Sequence, residues 1–202
     1  MIKEILKGPV WLMQPIPYFG EKLEGEWLLE PKVDGWRLQV IKYQDGEFAA
    51  YGRRLEKNPN WTKRLDFLIP ASFNLPKGII LDCELYSTGG RRFIPSLFAQ
   101  KKKAEPVIFV FDIIFYEGEF LGQEKLTKRK EVLKKLNLSP PFYLLESIPL
   151  PKETLSVPEK IVEILPSPFA WEGVLLKNAN SPYFLGKDGP IATENWRKLK
   201  WR

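Results

Sequence analysis

Histidine is absent from the 202-residue sequence, and cysteine occurs once, at Cys83. Without imidazole there is no histidine base and no imidazole-ligated metal. A lone cysteine excludes an internal disulfide framework and a zinc ribbon. Methionine is scarce too, with 2 residues. No apolar run reaches membrane-spanning length, and no signal- or transit-peptide pattern is present, so a cytoplasmic protein without a membrane partner is expected. Proton or metal chemistry must therefore use carboxylates, lysines, hydroxyls or backbone groups.

What is present is an ordinary globular composition, 44% hydrophobic and 28% charged, long enough for one large domain or two small lobes. Lys and Arg total 31 against 25 Asp and Glu, a net charge of +6. That balance permits a polyanionic partner and equally a plain basic surface. Abundant Lys, Glu, Ile, Leu, Pro and Trp give a thermophile-like bias.

Along the chain, the first twenty-five residues read as irregular, punctuated by Pro9, Pro15, Pro17, Gly20 and Gly25. Strands are predicted at 27–30, 37–43 and 47–51, with Asp45-Gly46 as a hairpin turn. Further strands are predicted at 78–86, 107–116, 142–145, 173–177 and 196–201. The run 107–116 is apolar enough to lie centrally in a sheet. Helices are predicted at 61–68, 95–102, 126–136 and 158–165. In the third, Thr127 is the expected cap and Leu126, Val132, Leu133 and Leu136 the apolar face. Strands with helices between them, joined in part by hairpins, predict an α+β layout of mainly antiparallel sheets flanked by helices.

Glu30-Pro31-Lys32-Val33-Asp34-Gly35-Trp36-Arg37 concentrates the chemistry. Lys32 lies between two acids at a strand end. An amine is nucleophilic only when deprotonated, and burial or a nearby cation lowers its ordinary pKa of about 10.4. Gly35 allows close backbone approach to a ligand, and Arg37 suits phosphate.

Lys-x-Asp-Gly-x-Arg resembles the nucleophile motif of the covalent nucleotidyltransferases: DNA ligases, RNA ligases and mRNA capping enzymes. Further segments resemble the other motifs of that superfamily, in order. They are Tyr51-Gly52-Arg53-Arg54-Leu55-Glu56, Leu81-Asp82-Cys83-Glu84-Leu85, Phe109 to Phe115, Glu172-Gly173-Val174-Leu175-Leu176-Lys177 and Asn195 to Lys200. Singly, each has a structural reading: a solvated lysine, a paired acid, a core phenylalanine, a surface ion pair. Their order and joint presence from Trp27 to Trp201 carry the resemblance. Phe111-Asp112 with Gly118, then Leu126-x-x-Arg129-Lys130-x-x-Leu133, and Ser181-x-Tyr183-x-x-Gly186-Lys187 are similar to ATP-dependent DNA ligases.

The resemblance implies an ATP-grasp-like nucleotidyltransferase fold. It implies that Lys32 attacks the α-phosphate of ATP, forming lysyl-AMP with loss of pyrophosphate. AMP then passes to the 5′-phosphate of a nick before the strand is sealed. Lys32, Asp34, Arg37, Lys198 and Lys200 are the expected catalytic residues. Lys177, Lys198 and Lys200 would neutralise phosphate oxygens, and Glu84 and Glu172 would bind ribose or Mg²⁺. Arg37 and Arg53 would grip the ribose side or the nick's 5′-phosphate. Glu30 would sit near the adenine edge with Phe111 on its face. Arg53, Arg91, Arg92, Lys101, Lys102, Lys103 and Arg129 are the expected DNA contacts, sequence-independent and salt-sensitive.

DNA ligases of this type continue into an OB-fold domain, whereas here Lys200 is followed by two residues, and Asp188 stands where an arginine is common. The expectation is a single adenylation domain over 1–202, without OB-fold or N-terminal DNA-binding domain, in a prokaryotic cytoplasm. It would act on nicked double-stranded DNA, with an OB-fold or DNA-clamp protein as a possible partner in trans. An RNA ligase, a guanylyltransferase and a non-catalytic nucleotide- or nick-binding remnant stay open as alternatives.

Overall fold

A computed structural model describes residues 6–151 and 171–200. In chain order the elements are β1 (Met13–Pro17), β2 (Trp27–Lys32), β3 (Trp36–Lys42), β4 (Phe48–Gly52), α1 (Ile69–Ser72), β5 (Ile79–Ser87) and a 3-10 segment (Arg91–Phe98). Then follow β6 (Pro106–Tyr116), β7 (Glu119–Phe120), α2 (Leu126–Lys134), β8 (Phe142–Leu144), β9 (Ile148–Pro149), β10 (Gly173–Asn178) and β11 (Ile191–Lys200). A five-stranded sheet has the order β1-β11-β10-β2-β9, and a six-stranded sheet runs β4-β3-β5-β6-β7 with β8 beside β6. Two pairs, β1 with β11 and β6 with β8, are parallel, and the others are antiparallel.

The predicted hairpin forms as its turn chemistry requires. Gly46 sits at φ +97°, and the Glu47 amide donates to Asp45 Oδ1 at 2.9 Å. Side-chain alternation then sorts β3 between two cores. Leu38 and Val40 join a cluster with Leu81, Cys83, Val110, Ile113 and Leu133 on the outer side of the six-stranded sheet. Ile41 joins Met13, Ile80, Phe109, Phe111, Tyr183 and Trp196 between the sheets. A third cluster, with Trp27, Leu29, Val174 and Leu176, covers the outer side of the five-stranded sheet. β6 is apolar apart from Asp112 because both of its faces are buried.

One irregularity positions the site. β6 changes register against β5 between Asp82 and Cys83: Asp82 faces Asp112, Cys83 faces Val110, and Phe111 is the extra residue. Such a bulge re-aims side chains. Val110 and Ile113 keep to the outer core, while the adjacent Phe111 and Asp112 both turn inward.

Several expectations are corrected. Residues 13–17 form β1 despite two prolines, which an edge strand tolerates. Residues 61–68 form 3-10 turns, and the helix expected at 95–102 is the 3-10 segment Arg91–Phe98, with Pro95 inside it. Thr127 does not cap α2. The N-cap is Lys125, and the amides of Leu126 and Thr127 donate to the carbonyls of Ser181 and Ala179 at 2.9 and 3.1 Å. The helix expected at 158–165 lies outside the described residues.

Candidate active site

β2, β10 and β11 pair in register, so opposed residues share a face. Lys32 stands opposite Gly173 and Gly173 opposite Lys200; Glu30 stands opposite Leu175 and Leu175 opposite Lys198. Lys177, two residues on from Leu175, stands opposite Trp196. One face of the five-stranded sheet therefore presents Lys32 and Lys200 at one end, Glu30 and Lys198 next, and Lys177 with Trp196 at the far end. From the six-stranded sheet Arg37 and Glu84, themselves a cross-strand pair, share the same cleft. Its volume is about 1000 Å³. Nine of its lining side chains are basic and two, Glu84 and Glu172, are acidic.

Lys32 ion-pairs with Glu172, and Lys200 Nζ reaches the other carboxylate oxygen at 3.0 Å. Burial pushes Glu172 up, but Lys32 and Lys200 outweigh it and hold the carboxyl below its usual range. Burial also raises Glu84, and there Arg37 and Lys32 offset it only in part, so its carboxyl is pushed up to about 7. Arg37 donates from Nε and Nη2 to Asp82 at 2.5 Å, and the Tyr183 hydroxyl donates to the same carboxylate at 2.7 Å. The Arg37 guanidinium lies 4.8 Å from the Phe111 ring centre. Gly35 allows a close approach of strands: a Cβ there would collide with the Leu85 carbonyl oxygen and with Glu84 Cγ.

Of the expected residues, Lys32, Arg37, Arg53, Glu84, Phe111, Glu172, Lys198 and Lys200 all border this cleft. Asp34 sits at its edge, bound to Arg91 at 2.5 Å. Glu30 is 0% exposed, with Lys130 Nζ 2.5 Å from one oxygen and Lys177 Nζ 2.7 Å from the other. Lys177 is also fully buried, 4.5 and 4.0 Å from the Phe111 and Trp196 rings, and does not line the cleft.

Arg129, expected at the DNA, does not border the cleft; it is 0% exposed and pairs with Asp112 at 2.8 Å. Arg92 and Lys101, Lys102 and Lys103 are exposed but lie off the cleft lining, with Lys102 seated 3.4 Å over the Phe67 ring. Sequence reasoning missed Arg54, Lys57, Arg64 and Trp61, which join Arg53 on the rim. The pair Arg53-Arg54 also borders a side cavity of about 340 Å³ beside Asp188. Their signal was present: the basic run continues through 53–64 with few acids. A second concavity of about 1000 Å³ over the β3–β4 hairpin holds none of the expected residues.

The oxygen-only donors Glu84 and Glu172 suit a hard cation. Among the described residues no three or more His, Cys, Asp or Glu side chains converge into a metal cage. Two carboxylates, one held protonated up to neutral pH by burial, fit Mg²⁺ carried in on phosphate oxygens.

A lysine ringed by cations and two acids, in a cleft between two largely antiparallel sheets, makes a charge pattern suited to a phosphate-bearing group. The fold is similar to mycobacterial DNA ligase D complexed with ATP and MES, at a TM-score of 0.66 and 20% identity, over 94% of this chain and 60% of that one. It is also similar to the ATP-dependent DNA ligase of bacteriophage T7, at a TM-score of 0.55 and 17% identity, over 94% of this chain and 68% of that one. Residues 12–200 match the ATP dependent DNA ligase domain, and the chain belongs to that family. The DNA ligase-like protein LigB, derived from prophage SPbeta of Bacillus subtilis, is 29% identical over 183 residues, 86% of this chain and 60% of that protein. The DNA ligase of Methanothrix thermoacetophila is 30% identical over 190 residues, 88% of this chain and 32% of that protein. The chain thus spans between about a third and three fifths of these curated relatives. No helix among the described residues is long and apolar enough to cross a membrane.

Proposed function

We propose that this chain performs the adenylyl-transfer chemistry of an ATP-dependent DNA ligase acting on nicked duplex DNA, in replication or repair. The observation that carries this reading is Lys32 at the cleft, within one face of Lys198 and Lys200 and paired to Glu172. The Lys32 ammonium first gives up a proton to solvent. Its amine then attacks the α-phosphorus of ATP, an N–P bond forms, and the bond to the bridging oxygen breaks, releasing pyrophosphate. Lys198 and Lys200 supply positive charge to the phosphate oxygens as charge shifts to the leaving group. Phe111 stacks on the base and Glu30 faces its edge. Glu84 and Glu172 would hold Mg²⁺, which when bound neutralises phosphate charge. The AMP then moves to a 5′-phosphate, gripped by Arg53 and Arg37, and the 3′-hydroxyl displaces it.

Incubation with ATP and Mg²⁺ followed by intact-mass measurement tests the first step. We expect an AMP adduct, lost in Lys32→Ala. Absence of any adduct across nucleotides and metals overturns the reading. Sealing of nicked DNA, nicked RNA, or a GTP adduct separates a DNA ligase from an RNA ligase or guanylyltransferase. Tight nick binding without turnover, rescued by an added OB-fold protein, would point to a dependent partner in trans. Expression in a prokaryotic cytoplasm supplies the reducing surroundings that the lone Cys83 suits.

A further inference from the structure

After Gly52 the chain leaves β4, the edge of the six-stranded sheet, and none of residues 53–60 is buried. A loop without buried side chains has little of its own to fix its shape. It nevertheless carries Arg53, Arg54 and Lys57, all exposed, all on the cleft lining and none in an ion pair among the described residues. Glu56, its one acid, lines the side cavity instead. Three cations against one acid repel one another, so the loop has to be held at its ends. The Gly52 amide donates to Pro59 O at 2.9 Å, and the Trp61 amide donates to Ala50 O at 2.8 Å. The Trp61 ring then packs against two more aromatic rings, with its centre 5.9 Å from Trp36 and 5.2 Å from Phe98. It also rests on the backbone where the loop departs: a Cβ at Gly52 would meet Trp61 Cζ2 at 2.5 Å. Both ends of the loop therefore converge on one side chain.

We propose that Trp61 is a positioning residue for nucleic-acid binding: packed against Trp36 and Phe98 and seated on Gly52, it holds the loop 53–60 so that Arg53, Arg54 and Lys57 face the cleft together. The inference rests on the reading above, in which the cleft takes nicked duplex DNA. Phosphates are regularly spaced along a strand, so several cations meet them at once only when the loop that bears them keeps one shape.

Filter binding of a nicked duplex across a salt series, on the full chain, reads the slope of log affinity against log salt. Trp61→Ala flattens the slope by about 2 to 3, at roughly 0.9 for each loop cation that no longer meets a phosphate. Trp61→Phe, which keeps an aromatic ring in the cluster, keeps the slope. Gly52→Ala pushes the ring off its seat and flattens the slope on its own, yet adds nothing to Trp61→Ala, where the ring is gone. In the Arg53→Ala/Arg54→Ala background, Trp61→Ala flattens the slope by about 1 at most, since Lys57 alone is left to lose. Loss of folding lowers the competent fraction but leaves the slope of the folded remainder unchanged. Trp61→Leu is measured beside Trp61→Ala, so an unfolded variant leaves the other to be read. If Arg53→Ala/Arg54→Ala flattens the slope while Trp61→Ala, Trp61→Leu and Gly52→Ala keep it, Trp61 has no positioning role. If Arg53→Ala/Arg54→Ala keeps the slope, DNA does not use this loop and the inference falls, while the Lys32 adduct remains a separate result.

Discussion

Glu84 faces Arg37 across two strands, and burial nevertheless wins over that neighbour. Its carboxyl rises from 4.5 to about 7. Between those values the folded protein holds a proton that the unfolded chain has lost, so stability falls as pH rises through this window. Below it both states are protonated and the penalty vanishes. Glu84→Gln should therefore match wild type near pH 4.5 and exceed it by about 2 kcal/mol at pH 7.5, after allowance for partial exposure. Urea unfolding at several pH values checks this; equal stabilities at pH 7.5 would count against it. Glu172 has the opposite sign, since its lowered carboxyl contributes stability that is lost as pH falls below the ordinary carboxylate range.

α2 illustrates how an element can be legible in type and misread in role. It starts where expected and ends two residues sooner, at Lys134, but its buried face is Leu126, Arg129, Lys130 and Leu133. A sequence cannot announce that a lysine or arginine on a polar helix is buried, because the decision belongs to Asp112 and Glu30 on strands that fold against it. Arg129 also donates to the carbonyls of Glu124 and Ser181, at 2.7 and 3.1 Å, tying the helix start to the loop that caps it. Arg129→Met leaves Asp112 charged and buried without its partner, and should cost about 3–5 kcal/mol. Chemical denaturation measures the loss, and Arg129→Lys should recover only part of it, because a lysine lacks the two-pronged contact.

Across the whole molecule, an excess of cations is gathered at one cleft. Arg53 and Arg54 are exposed, and no ion pair for either occurs among the described residues. For nicked duplex DNA, Arg53→Ala/Arg54→Ala should weaken binding for all sequences and reduce the steepness of log affinity against log salt by about 2, at roughly 0.9 per phosphate contact. Filter binding across a salt series reads that slope, and an unchanged slope places the DNA elsewhere. Most residues bordering the cleft were legible through the ordered motifs that resemble the superfamily, and strand parity then puts residues 30 and 32, and 198 and 200, on common faces. β1 was hidden by its prolines, and the rim residues 54, 57, 61 and 64 by a loop whose closure depends on backbone bonds such as Gly52 N–H to Pro59 O at 2.9 Å.

The odd residue in β6 gives that strand a parity on which the chemistry depends. Shortening the strand by one at this point would remove the shift between Asp82 and Cys83 and leave the second, between Ile80 and Leu81, in place. Yet the aromatic ring and the carboxylate that anchors α2 would no longer turn to the same side. Such a shortened chain would keep a recognisable architecture while losing the ring placement on which the proposed base stacking rests. Length at this one position is thus as specific an instruction as any side chain in the cleft.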